Sequence, residues 1–109
     1  MSAASRNKGA RGELEVAELL RAEGWPNARR TSDGREQLAR GDIANGPAGV
    51  HLEVKRVERL NIAACLRQLD ADCPDHDIPV LVHRSSRQPW LATMPLAELL
   101  PLLRMREQG

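Results

Sequence analysis

Two carboxylates and a lysine lie within residues 41–55, a short stretch where a small protein would normally place core residues. Asp42 and Glu53 offer oxygen ligands of the kind that hard divalent cations such as Mg²⁺ prefer, and the backbone carbonyl of Val54 lies next to them in sequence. Lys55 could stabilise negative charge that develops on a reacting phosphate group. These residue types suit metal-assisted hydrolysis of a phosphodiester by water.

The same three side chains also allow a purely structural interpretation. Neighbouring carboxylates repel each other, and each raises the pKa of the other unless a cation lies between them. Lys55 alone could compensate Asp42 and Glu53 in a salt-bridge cluster, which is the commoner outcome for such a trio on facing strands. The residue types leave both interpretations open, so the elements that position them matter.

Strand periodicity separates the residues after the turn into two faces. Val50, Leu52 and Val54 alternate on one face, and His51, Glu53 and Lys55 alternate on the other. Residues 45–49 form a five-residue connection, so antiparallel pairing should bring Asp42 opposite Leu52 or Glu53. The sequence therefore predicts that the carboxylates of Asp42 and Glu53 are neighbours.

A fourth acidic residue, Glu13, lies in a predicted helix from Gly9 or Ala10 to Glu23. Gly24 and Pro26 end this helix in the usual way, and the residues before it are expected to fray. At about 100° per residue, the apolar stripe of the helix is centred on Val16, Leu19 and Leu20, with Ala17 on its edge. Glu13 falls on that side, whereas Glu15 and Glu18 are predicted to face solvent. A carboxylate in such a stripe needs a partner or a metal, unless it lies in a hydrated first turn.

The remaining pattern predicts the order helix, hairpin, helix, strand, strand, helix. Residues 25–30 suggest a short strand, and residues 31–40 form a polar loop of a length that favours function or mobility. Asn61 is a good N-cap for a helix to about Cys73. Residues 78–82 form a continuous apolar run typical of a buried strand, and residues 90–94 suggest another strand. A last helix begins at Pro95, and Pro101 is predicted to kink or divide it.

Length and composition restrict the class of protein. A chain of 109 residues is expected to form one domain, and 41% hydrophobic with 28% charged residues argues against disorder and membrane residence. Trp25 and Trp90 are the only aromatic residues, which is a poor supply for stacking nucleic-acid bases. Two cysteines without a signal peptide or a zinc-binding spacing predict a reduced, cytoplasmic protein.

The net charge is only +1, but the basic residues are clustered. Residues 1–11 contain three basic side chains and no acidic one, and residues 29–40 contain four arginines against two acidic residues. Such patches are compatible with phosphate contact, although a solvated surface is the commoner explanation.

The order of the charged residues resembles a known signature. The helix glutamate, Asp42 and the tripeptide Glu53-Val54-Lys55 resemble the PD-(D/E)-x-K nuclease pattern, with Gly41 in place of the usual proline. Lys8-Gly9 followed by Glu13 resembles the opening of archaeal-type Holliday-junction resolvases, a group that phages also encode. Residues 30–34 are similar to their arginine-to-Ser-Gly loop, and residues 78–84 followed by Trp90 are similar to their last strands. The likeness extends from about residue 6 to residue 94.

This resemblance implies a restriction-endonuclease-like α/β fold, with a central mixed sheet flanked by helices, and a defined active site. Asp42, Glu53 and the Val54 carbonyl would bind Mg²⁺, for which Mn²⁺ would substitute, with Glu13 as a helper at the metal. Lys55 would orient water and stabilise charge, and Ser32 would assist cleavage. The resemblance and the basic patches together name the candidate DNA contacts, which are Arg6, Lys8, Arg11, Arg29, Arg30, Arg35, Arg56 and Arg84.

The expected activity is nicking of branched DNA such as a four-way junction during recombination. Resolving a junction needs two symmetric nicks, so a twofold homodimer is expected, joined through the helix after Asn61 or the leucine-rich tail. No membrane and no small-molecule cofactor are expected. Two alternatives remain: a nuclease of the same type that cuts flaps, forks or duplex DNA, and a nucleic-acid-binding module of this fold without catalysis.

Overall fold

The structure, a computed structural model, describes residues 3–33 and 41–109. Its helices are α1 (Ala3–Glu23), α2 (Ile62–Asp72) and α3 (Leu96–Gln108). Its strands are β1 (Arg29–Arg30), β2 (Ile43–Ala44), β3 (Val50–Arg56), β4 (Ile78–Arg84) and β5 (Leu91–Thr93), and a 3-10 turn covers Thr31–Asp33. The predicted α/β class, with a mixed sheet and helices, is confirmed.

The mixed sheet has the order β3, β4, β5, with β3 parallel to β4 and β4 antiparallel to β5. Glu53 lies beside Leu81 and Lys55 beside His83 in the parallel register. The other two strands, β1 and β2, form a separate antiparallel pair in which Arg30 faces Ile43. β2 was predicted to pair with β3, but in the described ranges its partner is β1. The segment before β2 is linked to β3 through the N–H of Asp42, which donates to the carbonyl of Leu52 at 2.8 Å.

Helices cover both faces of the mixed sheet. The main core lies between α1 and the sheet face that carries Leu52, Val54 and Val80, where α1 supplies Val16 and Ala17. On the opposite face α2 packs against β4. Leu69 of α2 and Leu81 of β4 are the largest fully buried side chains described, and His51 is also buried there. This second face also carries Glu53 and Lys55, because residues two apart on a strand share a face.

The first helix differs from its prediction in length and in orientation. α1 begins at Ala3 rather than at Gly9 or Ala10. Its buried stripe is rotated, because Ala17 is fully buried whereas Leu19 is 51% exposed. The rotation follows from packing against β1 and β3, which selects the small residue at the position of closest contact. It also turns Glu13 toward the rest of the protein.

The later elements follow their predictions closely. Asn61 caps α2, and its side-chain oxygen accepts a hydrogen bond from the N–H of Ala64 at 3.0 Å. Pro101 lies inside α3 without dividing it. In the described ranges, no helix combines the length and the apolar character that crossing a membrane requires. Residues 34–40 of the predicted polar loop, with Arg35, lie outside the described part of the chain.

Candidate functional site

Asp42 is fixed at the edge of β3 by its backbone and by its side chain. Its N–H donates to the Leu52 carbonyl at 2.8 Å, and its Oδ2 accepts the N–H of Val54 at 2.8 Å. Gly41 precedes it with φ +76°, and a Cβ there would lie 2.5 Å from the Leu52 oxygen. Proline requires φ near −65°, so this backbone excludes the residue usual at this position of the signature.

Glu53 lies close enough to Asp42 for the two carboxyl groups to interact. Burial, and then the charge of Asp42, raises the pKa of Glu53 from its usual 4.5 to about 7, although the positive charge of Lys55 acts in the opposite direction. Two neighbouring carboxylates repel each other unless a proton or a cation compensates them. Lys55 therefore compensates the pair only in part.

The carbonyl of Val54 faces the same edge of β3 as the Asp42 carboxylate. In an extended strand the N–H and C=O of one residue point to the same neighbour, and the Val54 N–H points to Asp42. Two carboxylates and a carbonyl are a donor set that suits Mg²⁺, which keeps several waters when proteins bind it. Among residues 3–33 and 41–109, no three His, Cys, Asp or Glu side chains are grouped to hold a metal.

A cleft of about 180 Å³ opens beside the carboxylate pair, between β3 and α2. Glu53 and Lys55 line it from the strand, and Ala64, Cys65, Gln68, Leu69 and Asp72 line it from the helix. The charge of Asp72 adds to the rise in the pKa of Glu53. Lys55 is thus half-buried in a space large enough for part of a ligand, next to the residues that would hold the metal.

Glu13 is tied to β1 rather than grouped with the two carboxylates. Its Oε1 accepts a hydrogen bond from Nε of Arg30 at 2.9 Å, and both side chains are about one-fifth exposed. Arg30 faces Ile43, the residue after Asp42, so this ion pair lies next to the candidate site. The role of Glu13 at a metal stays a prediction.

Thr31 and Ser32 lie in the 3-10 turn beside the candidate site. Ser32 is exposed, and its role in cleavage stays a prediction. The Thr31 hydroxyl donates to the Gly41 carbonyl at 3.0 Å, and the Thr31 N–H donates to the Asp42 carbonyl at 3.0 Å. Thr31 thereby holds the backbone that carries Asp42, a role that the sequence did not predict.

The basic residues predicted to contact DNA lie in different settings. Arg56 and Arg84 are side by side in register on β3 and β4, and Glu15 forms ion pairs with them at 3.4 and 3.5 Å. The guanidinium of Arg84 also lies 5.5 Å from the ring centre of Trp90. The predicted exposure of Glu15 to solvent is wrong, because α1 is rotated toward the sheet. This pair of arginines keeps an excess of positive charge beside one carboxylate.

The other basic candidates are more exposed or lie outside the described side chains. Lys8 forms an ion pair with Glu58 at 2.9 Å, and Arg11 and Arg29 are exposed. The side chain of Arg6, like Arg35, lies outside what the structure describes.

His51 is a buried polar residue that the sequence pattern did not single out from its strand. It is 3% exposed, and within the described chain its Nδ1 has no hydrogen-bond partner. It shares a strand face with Glu53, two residues away, so it adds a polar group to the apolar layer under α2.

Comparisons with known proteins leave the chain without an assigned family. No protein-family model, no curated protein and no solved structure matches it.

Proposed function

We propose that this protein is a metal-dependent endonuclease of the PD-(D/E)-x-K type with a restriction-endonuclease-like fold. One observation carries the proposal: Asp42, from a separate segment, is held at the edge of β3 by the Val54 N–H, and there its carboxylate interacts with that of Glu53. Burial and the charge of Asp42 raise the pKa of Glu53 to about 7 although Lys55 is near, so Lys55 offsets the two acidic groups only in part. A divalent cation between Asp42 and Glu53 would compensate both carboxylates.

Each residue of the site has a distinct task in this proposal. Asp42, Glu53 and the Val54 carbonyl would hold Mg²⁺ or Mn²⁺. The metal, when bound, would supply a water of lowered pKa and neutralise charge on the phosphate. Lys55 lies in the cleft where it stabilises negative charge that develops on the phosphate oxygens. Thr31 and Gly41 keep Asp42 in position.

The proposed substrate is DNA, with a four-way junction as the preferred form. Arg56 lies on β3, the strand that carries Glu53 and Lys55, and Arg84 lies beside it on β4. Both arginines would contact backbone phosphates. Symmetric nicking calls for a homodimer, for which α3 offers exposed apolar side chains. These are Leu96, Leu100, Leu103 and Met105, with exposed fractions from 47% to 65%.

The test is cleavage of a labelled four-way junction and of a matched linear duplex with and without Mg²⁺, followed on a denaturing gel. Asp42→Asn and Glu53→Gln should each lower the rate by about a hundredfold or more, because each removes a metal ligand. Lys55→Met should lower the rate while metal binding is retained. Glu18→Gln, an exposed substitution on α1, is the matched control and should leave the rate unchanged.

The outcomes separate the proposed activities. Selective nicking of the junction supports a resolvase, and equal rates on both substrates support a nuclease with a broader substrate range. DNA binding without cleavage in any divalent metal, unchanged by Asp42→Asn, would exclude the enzyme and leave a binding module.

A further inference from the structure

A second group of polar contacts lies away from the carboxylate pair and is centred on Glu58. Lys8 Nζ donates to Glu58 Oε1 at 2.9 Å. The Ser86 N–H donates to both carboxylate oxygens, at 3.2 and 3.3 Å, and the Ser86 hydroxyl also donates to Oε1. One ammonium, one backbone amide and one hydroxyl thus converge on a single anionic group.

This combination of donors is one that proteins use to bind phosphate. Backbone N–H groups in turns and lysine ammonium groups both bind phosphate oxygens, and a hydroxyl adds a third hydrogen bond. Ser86 lies in a turn closed by the Gln88 N–H and the Ser85 carbonyl at 3.2 Å, so its N–H has a fixed direction. Arg84 lines a cavity of about 110 Å³ with Glu58 and Ser85, which brings a second cation close to the same place.

The Glu58 carboxylate lies where it can move away from the Lys8 and Ser86 donors. It lies in the bend between β3 and α2, outside regular structure, and its side chain is 56% exposed. Lys8 is 32% exposed, so solvent reaches the donors as well. The Ser86 and Lys8 hydrogen bonds lower the pKa of Glu58 to about 2, so the occupant is an anion at neutral pH.

We propose that Lys8 and Ser86 form a binding site for a phosphate group of the nucleic-acid backbone, and that the Glu58 carboxylate occupies this site when no ligand is bound. The identity of the ligand rests on the proposed function, whereas the anion site itself does not. Glu58 then acts as an internal competitor that weakens binding of any phosphate that lacks additional contacts.

The position of the anion site agrees with a ligand that also reaches the carboxylate pair. Glu58 follows Glu53 by five residues, so their Cα atoms are at most about 17 Å apart. Arg56 lies between them in sequence, and Arg84 is its neighbour on β4. A backbone that passes the carboxylate pair could therefore place a nearby phosphate at Lys8 and Ser86.

The proposal is tested by calorimetric titration of inorganic phosphate into the protein in the presence of a chelator. Glu58→Ala should bind phosphate about tenfold more tightly than the wild type, because the competing carboxylate is removed. Adding Lys8→Ala to this variant should abolish the gain. Glu18→Ala removes the same charge from an exposed position and should show no such gain. Glu58→Gln keeps the size of the side chain, so it reports the gain if the alanine variant is poorly folded.

A short DNA duplex in chelator, titrated into the same variants, distinguishes the two sources of phosphate. Tighter binding of both ligands by Glu58→Ala supports a backbone site, and a gain for inorganic phosphate alone would overturn the assignment to nucleic acid. Equal affinity of Glu58→Ala and Glu18→Ala for phosphate would overturn the site, and Glu58 would be a structural tie between α1 and the β4–β5 turn. A chain that gains phosphate affinity in Glu58→Ala yet never cleaves DNA would retain this site and lose the proposed nuclease activity.

Discussion

Replacement of Glu53 by glutamine should make the metal-free protein more stable while it removes the proposed activity. Above pH 7 the wild-type protein carries an ionised Glu53 carboxylate against Asp42 in a partly buried position. Glutamine has nearly the same size, carries no charge and can donate a hydrogen bond to Asp42. The substitution therefore removes the repulsion and keeps the contact.

The size of the effect follows from the pKa of Glu53, which rises from 4.5 to about 7. Without screening by solvent, a pKa shift of this size corresponds to about 3 kcal/mol of folding free energy. Glu53 is partly exposed, and screening by solvent reduces this to about 1–2 kcal/mol. In a domain of this length each kcal/mol changes Tm by about 4–8 °C, so a rise of several degrees is expected.

The raised pKa of Glu53 also makes the stability of the fold depend on pH. The folded protein binds a proton at Glu53 more tightly than the unfolded chain does, so this group destabilises the fold as pH rises from 4.5 to about 7. Below that window the destabilisation is absent, and above it the effect is complete. The difference between Glu53→Gln and the wild type should therefore be large at about pH 8 and small at about pH 4.

Thermal and urea unfolding in the presence of a chelator measure this difference, with Glu18→Gln as the control for loss of one acidic group. A Glu53→Gln protein that is no more stable than the wild type at pH 8, or one that gains equally at both pH values, would refute the reasoning.

Three further predictions concern the backbone, the metal and the ion pairs of Glu15. Gly41→Ala should lower the free energy of unfolding in urea by about 2–4 kcal/mol, because its Cβ would meet the Leu52 oxygen; a loss within experimental error would contradict the close approach. Millimolar Mg²⁺ should raise the Tm of the wild type but not of Glu53→Gln, by preferential binding to the folded state; equal shifts in calorimetry would exclude a metal site at this residue. Glu15→Ala should lower stability by about 1 kcal/mol or less and strengthen duplex binding at low salt, because Arg56 and Arg84 lose their partner; unchanged affinity would argue against a DNA contact there.

Elements that depend only on nearby residues were predicted correctly from the sequence. The Asn61 cap and the apolar run of β4 needed no knowledge of distant residues. The turn before β3 was enough to predict that Asp42 approaches Leu52, since loop length limits where the chain can return.

The features that were not predicted depend on partners far away in sequence. The orientation of α1 is set by the sheet, so of the predicted stripe centre Val16 and Leu20 pack on the core whereas Leu19 is exposed, and the approach of Glu15 to Arg56 and Arg84 was missed. Similarly, β2 pairs with β1, a partner that the predicted hairpin did not include. Helix periodicity gives a stripe of roughly the right width, but only packing fixes its centre.

Within the described ranges, Lys8, Glu13 and Glu15 of α1 form ion pairs with three different parts of the chain. Lys8 reaches the bend after β3, Glu13 reaches β1, and Glu15 reaches the ends of β3 and β4. At about 1.5 Å per residue, these positions span about 10 Å along the helix axis. Because α1 is a single rigid helix, it keeps these charged groups at constant separations. A ligand that contacts several of them must match the distances between them.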